Sequence, residues 1–156
     1  MSMERARAHL EKYGLADKIR EFEVSSATVA LAAAALGTEE ARIAKTLSFS
    51  LGDSAILVVA AGDAKVNNHK FKETFEKKAK MLSFDEVEAL IGHGVGGVCP
   101  FGVNDGVKVY LDESLRRFDI VYPAAGTASS AVMLTIPELE RASEAVSWVD
   151  VTLIPE

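Results

Sequence analysis

The fold is decided by the stretch Thr46-Leu47-Ser48-Phe49-Ser50, its continuation Leu51-Gly52-Asp53-Ser54, and the apolar run Ala55-Ile56-Leu57-Val58-Val59-Ala60-Ala61. The first segment alternates polar and apolar residues, as a strand with one buried face does. The second segment is turn material. The third is apolar throughout, which is typical of a strand that is buried on both faces. Together the three segments predict a β-hairpin in the interior of a sheet.

Helical and extended patterns surround this hairpin. We predict four helices with both ends defined: Met3 to Tyr13, Val66 to Lys80, Phe84 to Ile91 after the Ser83 cap, and Pro137 to Ala145. A fifth helix is predicted to begin at a Ser25 or Ser26 cap and to end at Leu36. Two short helices are predicted to begin after a Thr38 cap and after Asp112. Further strands are predicted at Ile19 to Val24, Val107 to Leu111, Ile120 to Tyr122, Ala131 to Leu134 and Trp148 to Leu153. Because helices and strands are interspersed and one hairpin is present, the sheet is expected to be mixed α/β and not regularly doubly wound.

Length and composition limit the class of protein. The 156 residues predict one domain spanning 1–156, and 49% hydrophobic with 26% charged residues is ordinary for a globular chain. The net charge, 17 − 23 = −6, argues against a protein that grips nucleic acid through a global basic field. The N-terminal residues lack a secretory apolar stretch, and no apolar run approaches the ~20 residues that span a bilayer. We therefore expect a cytoplasmic protein that does not contact a membrane.

The segment Gly92-His93-Gly94-Val95-Gly96-Gly97 has the GxGxxG spacing of dinucleotide-binding loops. That chemistry requires a strand before the loop and a helix after it. Here a predicted helix precedes the loop, and Pro100 disfavours a helix after it, so no nucleotide cofactor is expected. Two interpretations stay open: a tight connection, or a loop whose backbone N–H groups bind an anion or an oxyanion.

Lys45 lies at the start of the alternating strand, on the face that it shares with Leu47 and Phe49. A lysine at such a position either extends its ammonium group into solvent or serves a site at the edge of the core.

The other titratable residues give weaker signals. The three histidines, His9, His69 and His93, are scattered, and a single cysteine excludes an internal disulfide and a Cys-rich metal site, so no metal is expected. Cys99 and His93 could act as a nucleophile and a base, but a lone buried thiol explains Cys99 as well. Between Lys65 and Lys80 there are six lysines and two glutamates, which form either a solvated helix face or a patch that meets phosphates.

Five segments, taken in order, resemble the YbaK/EbsC family, the free-standing relatives of the editing domain of bacterial prolyl-tRNA synthetases. They are Thr28-Val29 with Ala32-Ala33, Ile43 to Phe49, Gly62-Asp63-Ala64-Lys65-Val66-Asn67, Gly94 to Gly102, and Val109 to Leu115. The resemblance covers about Ser26 to Leu139. It implies a compact mixed α/β fold with a curled, barrel-like sheet surrounded by helices.

The resemblance also implies an activity, which is hydrolysis of the ester that joins a wrong amino acid to the 3′ end of a tRNA. By the same resemblance, Lys45 holds the phosphate and ribose of the terminal nucleotide, and the loop from Gly96 to Pro100 surrounds the aminoacyl group. Lys45, Gly96 and Gly97 are therefore expected to be catalytic. The residues expected to bind substrate are Thr46, Val98, Cys99, Pro100, Phe101 and Gly126.

One segment departs from the family pattern. Many relatives carry basic residues after the glycine that Gly126 matches, whereas here the run is Ala124-Ala125-Gly126-Thr127-Ala128-Ser129-Ser130. The identity of the amino acid and of the tRNA therefore stays open, with tRNA(Pro) or a similar tRNA expected. The expected partners are mischarged tRNA and a synthetase. The alternatives are a non-catalytic module that binds an aminoacyl-adenosine-like ligand or a synthetase and, more remotely, a lysine enzyme that forms a Schiff base.

Overall fold

The computed structural model describes residues 2–22, 28–94 and 97–155. Within these ranges the α-helices are α1 (Ser2–Glu11), α2 (Val29–Leu36), α3 (Asn68–Phe75), α4 (Phe84–Ile91) and α5 (Ile136–Ala142). The strands are β1 (Ile19–Glu21), β2 (Ile43–Ser50), β3 (Ala55–Ala61), β4 (Lys65–Val66), β5 (Lys108–Asp112), β6 (Ile120–Pro123), β7 (Ser130–Val132), β8 (Leu134–Thr135), β9 (Ser147–Val149) and β10 (Thr152–Leu153). Short 3-10 turns precede β1, β2 and β6.

A curled six-stranded sheet in the order β8-β6-β2-β3-β5-β9 organises the molecule. Strands β2 and β3 form the predicted antiparallel hairpin, with Lys45 opposite Ala60. The pairs β2–β6, β3–β5 and β5–β9 are parallel, whereas β6–β8 is antiparallel. The sheet is thus mixed, and the predicted fold class is confirmed.

Strand β3 is buried on both faces, as its unbroken apolar sequence predicts. Leu57 and Val59 belong to the main core, which also contains residues of α1, α4 and α5. Ile56 and Val58 point into a second cluster with Phe49 and Phe71, whose ring centroids lie 4.8 Å apart. Since its alternate side chains enter different clusters, β3 ties the two layers of the fold together.

The predicted helix over Val66 to Lys80 is wrong at both ends. It begins only after the Asn67 cap and ends at Phe75, because Glu76 adopts a left-handed backbone conformation (φ 62°). Lys80 then accepts a hydrogen bond from the Ser50 N–H at 2.8 Å, so the rest of the lysine-rich run is extended along the end of β2. The amphipathic pattern continues to Lys80, although pairing with the edge of the sheet replaces the helix after Phe75.

Two predicted caps are also corrected. The Oγ1 of Thr28 accepts from the Leu31 N–H and starts α2, while Ser25 and Ser26 lie outside the described residues. Thr38 does not cap a helix, because the 3-10 turn after it begins at Glu40 and has no side-chain cap. The predicted capping box of Ser83 and Glu86 is present, and Thr135 caps α5 as expected.

Candidate active site

A cavity of about 480 Å³ opens beside β2. Its walls come from α2, β2, the start of α4 and the segment that leads from β6 to β7. The lining residues are Thr28, Val29, Ala32, Ile43, Ala44, Lys45, Thr46, Leu47, Ser48, Met81, Leu82, Phe84, Val87, Val98, Tyr122, Ala124, Ser130 and Ala131. A volume of this size and a mostly apolar wall with a few polar groups are typical of a small-ligand site.

Lys45 is the one charged residue among the described residues of the cavity wall. Its Nζ donates hydrogen bonds to the carbonyl oxygens of Gly62, at 3.4 Å, and Ala64. Partial burial lowers the pKa of Lys45, and the nearby Asp63 carboxylate opposes that shift. An ammonium group has three N–H donors, so two bonds to the protein leave one for a ligand.

The turn that holds Lys45 is fixed from outside by an ion pair. Asp63, between the two carbonyl residues, receives hydrogen bonds from both terminal nitrogens of Arg117, at 3.1 and 2.6 Å. These bonds from the guanidinium are the main reason why the pKa of Asp63 is lowered. A two-pronged Arg–carboxylate pair fixes orientation as well as distance. The pair therefore positions the acceptors of the Lys45 ammonium.

Thr46, the neighbour of Lys45, also lines the cavity. Its Oγ1 is buried and has no hydrogen-bond partner among the described residues. A buried hydroxyl without a partner is costly, by about 1–3 kcal/mol, until another group bonds to it. Thr46 therefore offers a polar contact in an otherwise apolar wall.

The glycine-rich loop meets the segment after β6 at Gly97. A Cβ added at Gly97 would overlap the carbonyl of Gly126 and lie 2.9 Å from the Thr127 Cα, so only glycine fits. The Gly97 N–H donates to the Gly94 carbonyl at 3.0 Å. Val98, the next residue, lines the cavity, and Gly96 lies outside the described residues. Gly97 and Gly126 are thus brought together next to Val98, the one of the three that lines the cavity.

Hydroxyl groups organise the segment from Ala124 to Ser130. The Ser130 Oγ accepts from the N–H groups of Ala125 and Thr127, both at 3.3 Å, and lies 2.9 Å from the Thr127 Oγ1. Ser130 itself lines the cavity. This loop is held by a local network and brings no cation to the wall.

The structure places Cys99, Pro100 and Phe101 behind the wall rather than in it. All three are buried, and Phe101 belongs to the main core. Burial raises the pKa of Cys99 to about 12, which keeps the thiol protonated at neutral pH. His93 Nε2 lies 2.6 Å from the Phe101 carbonyl oxygen, to which it donates, and 3.6 Å from the Cys99 sulfur. Because that nitrogen carries the proton, it cannot take one from Cys99, and burial also lowers the pKa of His93.

The family model of the aminoacyl-tRNA editing domain matches residues 23–142. The chain belongs to this family. The resemblance inferred from the five sequence segments is thereby confirmed.

Relatives of the editing domain include free-standing and fused proteins. The uncharacterized protein YwhH of Bacillus subtilis (strain 168) is 49% identical over 152 residues, with 97% of each chain covered. Proline–tRNA ligase of Bacillus cytotoxicus is 26% identical over 148 residues, which are 94% of this chain and 24% of the ligase. The chain therefore spans about a quarter of that enzyme.

A solved structure similar to this editing domain is described as a candidate trans-editing enzyme for prolyl tRNA synthetase. It has a TM-score of 0.88 and 30% identity, with 97% of both chains covered. No helix in the described part of the editing domain is long and apolar enough to cross a membrane.

The sequence did not point to the wall that Met81, Phe84 and Tyr122 contribute. Phe84 follows the Ser83 cap and shares a helical stripe with Val87 and Ile91, a pattern that indicates burial. In the structure Val87 and Ile91 are buried, whereas Phe84 is 76% exposed at the cavity rim. The helical spacing of the apolar residues therefore predicted that Phe84 is buried in the core, and not that it lies at the cavity.

Proposed function

We propose that this editing domain hydrolyses the ester bond of a mischarged aminoacyl-tRNA, in trans, in the cytoplasm. The proposed substrate carries a small amino acid on tRNA(Pro) or a similar tRNA. The observation that carries the proposal is the position of Lys45, a half-buried cation in the wall of a cavity of about 480 Å³. A cation fixed at an apolar cavity suits a ligand with an anionic end and a small uncharged group.

In the proposed reaction, Lys45 binds the phosphate and ribose of the terminal nucleotide, and the aminoacyl group enters the cavity. Water adds to the ester carbonyl carbon, and the bond from that carbon to the ribose oxygen breaks. One water proton ends on the ribose oxygen, and the other is released when the amino acid ionises. An aminoacyl ester is already activated, so positioned water and a stabilised oxyanion are sufficient without a side-chain base.

The glycine-rich loop is proposed to supply the oxyanion donor. The Gly97 N–H already donates to the Gly94 carbonyl, whereas Val98 is the described loop residue that lines the cavity. We therefore assign the Val98 N–H to the oxyanion, with Gly97 allowing the close approach of the loop. One such donor is typically worth ~10²–10³ in rate.

The size and polarity of the wall support a small aminoacyl group. Val29, Ala32 and Ala124 provide apolar surface, and the hydroxyls of Thr46 and Ser130 lie within the same wall. An apolar pocket discriminates one methylene by only about 1–3 kcal/mol. The unpaired Thr46 hydroxyl is thus proposed to favour a substrate group that can hydrogen-bond to it.

The test is a panel of mischarged tRNAs incubated with the wild type, Lys45→Ala and the control Lys108→Ala, which removes an exposed lysine at the start of β5. We expect the wild type and the control to release the amino acid from at least one tRNA. Lys45→Ala should slow release by about 100-fold or more, because the substrate phosphate loses its cation. Equal thermal unfolding of the three proteins would show that the fold is kept. Stability of every ester in the presence of wild-type protein would contradict the proposal.

A non-catalytic binding module is the second candidate. It is favoured by the wall itself, which contains no carboxylate, imidazole or thiol among its described residues. Saturable binding of an aminoacyl-adenosine analogue, without turnover of any mischarged tRNA, would identify this function.

A further inference from the structure

The rim of the cavity exposes two large apolar side chains. Phe84 is 76% exposed and Met81 is 56% exposed, although both line the cavity. Met81 is fixed by a bridge to Phe49, and Phe84 is the first residue of α4 after the Ser83 cap. An exposed aromatic ring at the entrance of a ligand cavity is a platform on which a nucleic-acid base can stack.

A basic segment leads to this rim. Lys77, Lys78 and Lys80 are all exposed, and none of them has an ion-pair partner within 4.0 Å among the described residues. The segment is held in place because the Ser50 N–H donates to the Lys80 carbonyl and the Leu82 N–H to that of Ser48. Three lysines in four residues contrast with the net charge of −6 for the whole chain, and of the three Lys80 interacts electrostatically with an acidic group, the Glu86 carboxylate. The surface next to the cavity is thus locally suited to an anionic chain.

The distances suit a short strand of nucleotides. Lys80 and Phe84 are four residues apart, so their Cα atoms lie within about 14 Å of each other, at ~3.5 Å per residue. A surface of at most that length accommodates up to about four stacked nucleotides at ~3.4 Å each. Asp85 and Glu86 follow Phe84 in the first turn of α4 and repel phosphates from that side. Glu86 also interacts with Lys80, so the positive charge is greatest at Lys77 and Lys78, and a strand stacked on Phe84 would extend toward these two lysines.

We infer that Met81, Phe84 and the Lys77–Lys80 segment form a docking surface for the single-stranded 3′ end of an RNA, with bases stacked on Phe84 and phosphates bound by the lysines. This inference rests on the proposed function, which makes that RNA the substrate tRNA. It explains how a protein of net negative charge binds an RNA end without a basic face. Three phosphate contacts from these lysines, with the one that Lys45 is proposed to make, predict a shallow dependence of log K on log salt for a single strand, with a slope of about −3.

The test uses the full chain and a fluorescently labelled oligoribonucleotide that ends in CCA-3′ and carries no amino acid. Binding is followed by anisotropy between roughly 25 and 200 mM salt, the range over which phosphate contacts weaken. Phe84→Ala should weaken binding about tenfold, whereas Phe84→Tyr, which keeps an aromatic face, should bind like the wild type. Leu90→Ala removes an exposed apolar residue from the same helix and should change nothing.

The lysines are tested by charge removal. The triple variant Lys77→Gln, Lys78→Gln, Lys80→Gln should bring the salt slope to about −0.7, which is the share of the Lys45 contact. A control that loses the same charge at exposed residues elsewhere, at Arg7, Lys12 and Lys108, should keep most of the wild-type slope. The inference is overturned if the wild type does not bind the oligonucleotide, or if the Phe84→Ala and triple-lysine variants bind like the wild type.

The two proposals fail in different ways. Because the oligonucleotide carries no amino acid, its binding does not depend on ester hydrolysis. Lys45-dependent deacylation with no effect of the rim variants on RNA binding would remove the docking surface alone. Rim-dependent RNA binding without any deacylation would retain the docking surface and remove the proposed enzyme.

Discussion

Two regions of the molecule place an ionisable side chain against backbone carbonyls, yet only one of them opens to a ligand. Lys45 donates to the Gly62 and Ala64 carbonyls and lines the cavity. His93 donates to the Phe101 carbonyl beside Cys99, and both residues are fully buried. From the sequence, both regions are candidate sites: His93 and Cys99 as a base and a nucleophile, and Lys45 as a cation at the edge of the core.

The difference lies in access and in what burial does to each charge. Partial burial lowers the pKa of Lys45 while the cavity keeps its ammonium within reach of a ligand. Complete burial raises the pKa of Cys99 to about 12 and holds it as a packed thiol. An ionisable residue beside a turn or a glycine-rich loop can therefore serve a ligand site only if the fold leaves it accessible to the ligand.

Among the variants that test this comparison, Gly97→Ala is expected to have the largest effect, because it acts on the boundary between the two regions. The new Cβ would overlap the Gly126 carbonyl, so either the glycine-rich loop or the segment after β6 must shift. We expect deacylation to fall by about 100-fold because the oxyanion donor moves. The free energy of unfolding should fall by about 1–3 kcal/mol, as for other overpacked sites. Deacylation kinetics and urea unfolding measure the two effects.

Gly94→Ala is the matched control for this loop. A Cβ at Gly94 meets only the Glu88 Oε2, at 3.1 Å, which is the far end of a flexible side chain. Wild-type kinetics for Gly97→Ala, with Gly94→Ala unchanged, would show that the approach of Gly97 to Gly126 does not matter for the site.

A smaller effect is expected from Asp63→Asn, which loosens the turn that binds Lys45. Arg117 and Asp63 are each about one-third exposed (33% and 31%), so the pair is worth up to about 1 kcal/mol, or less than tenfold in rate. The pKa of Asp63 is lowered in the folded state, chiefly by hydrogen bonds from Arg117. Its contribution to stability is therefore present above the unfolded value of 3.8 and is lost as the pH falls through the folded value.

Urea unfolding at several pH values measures this contribution. Wild type and Asp63→Asn should differ at pH 6 and converge below about pH 4, whereas Asp53→Asn, on the exposed hairpin turn, should follow the wild type throughout. A difference that grew on acidification would mean that the carboxylate is not stabilised by Arg117.

The features that could be predicted from the sequence are those set by neighbouring residues. The hairpin of β2 and β3 follows from alternation, a Gly-Asp turn and an apolar run, and Ser83 and Thr135 act as caps because each oxygen reaches an N–H three residues later. The C-terminal end of α3 could not be predicted in this way, since Lys80 pairs with Ser50, about thirty residues earlier. The register of such distant partners is not encoded in a local pattern.

The same limit applies to the site. Lys45 and the glycine-rich loop could be predicted as candidates for the site because their residue types are unusual for their positions. Phe84 and Tyr122 gave no such signal, since each is an ordinary apolar residue until the sheet brings both beside β2. Whether Cys99 lines the cavity depends on which way a five-residue segment turns after Gly97, and the structure turns it into the core.

The smallest effect on activity is expected from Cys99→Ala, which tests the closed region directly. Because Cys99 is fully buried and its pKa is raised to about 12, the native thiol should react with an alkylating reagent far more slowly at pH 8 than the same thiol in urea. Deacylation by Cys99→Ala should stay within about twofold of wild type, with a loss of about 1 kcal/mol in unfolding free energy from the small void. Cys99→Ser keeps the volume and separates packing from chemistry. Rapid alkylation of the native protein, together with a large loss of activity in both variants, would place Cys99 in the site and make the two regions one.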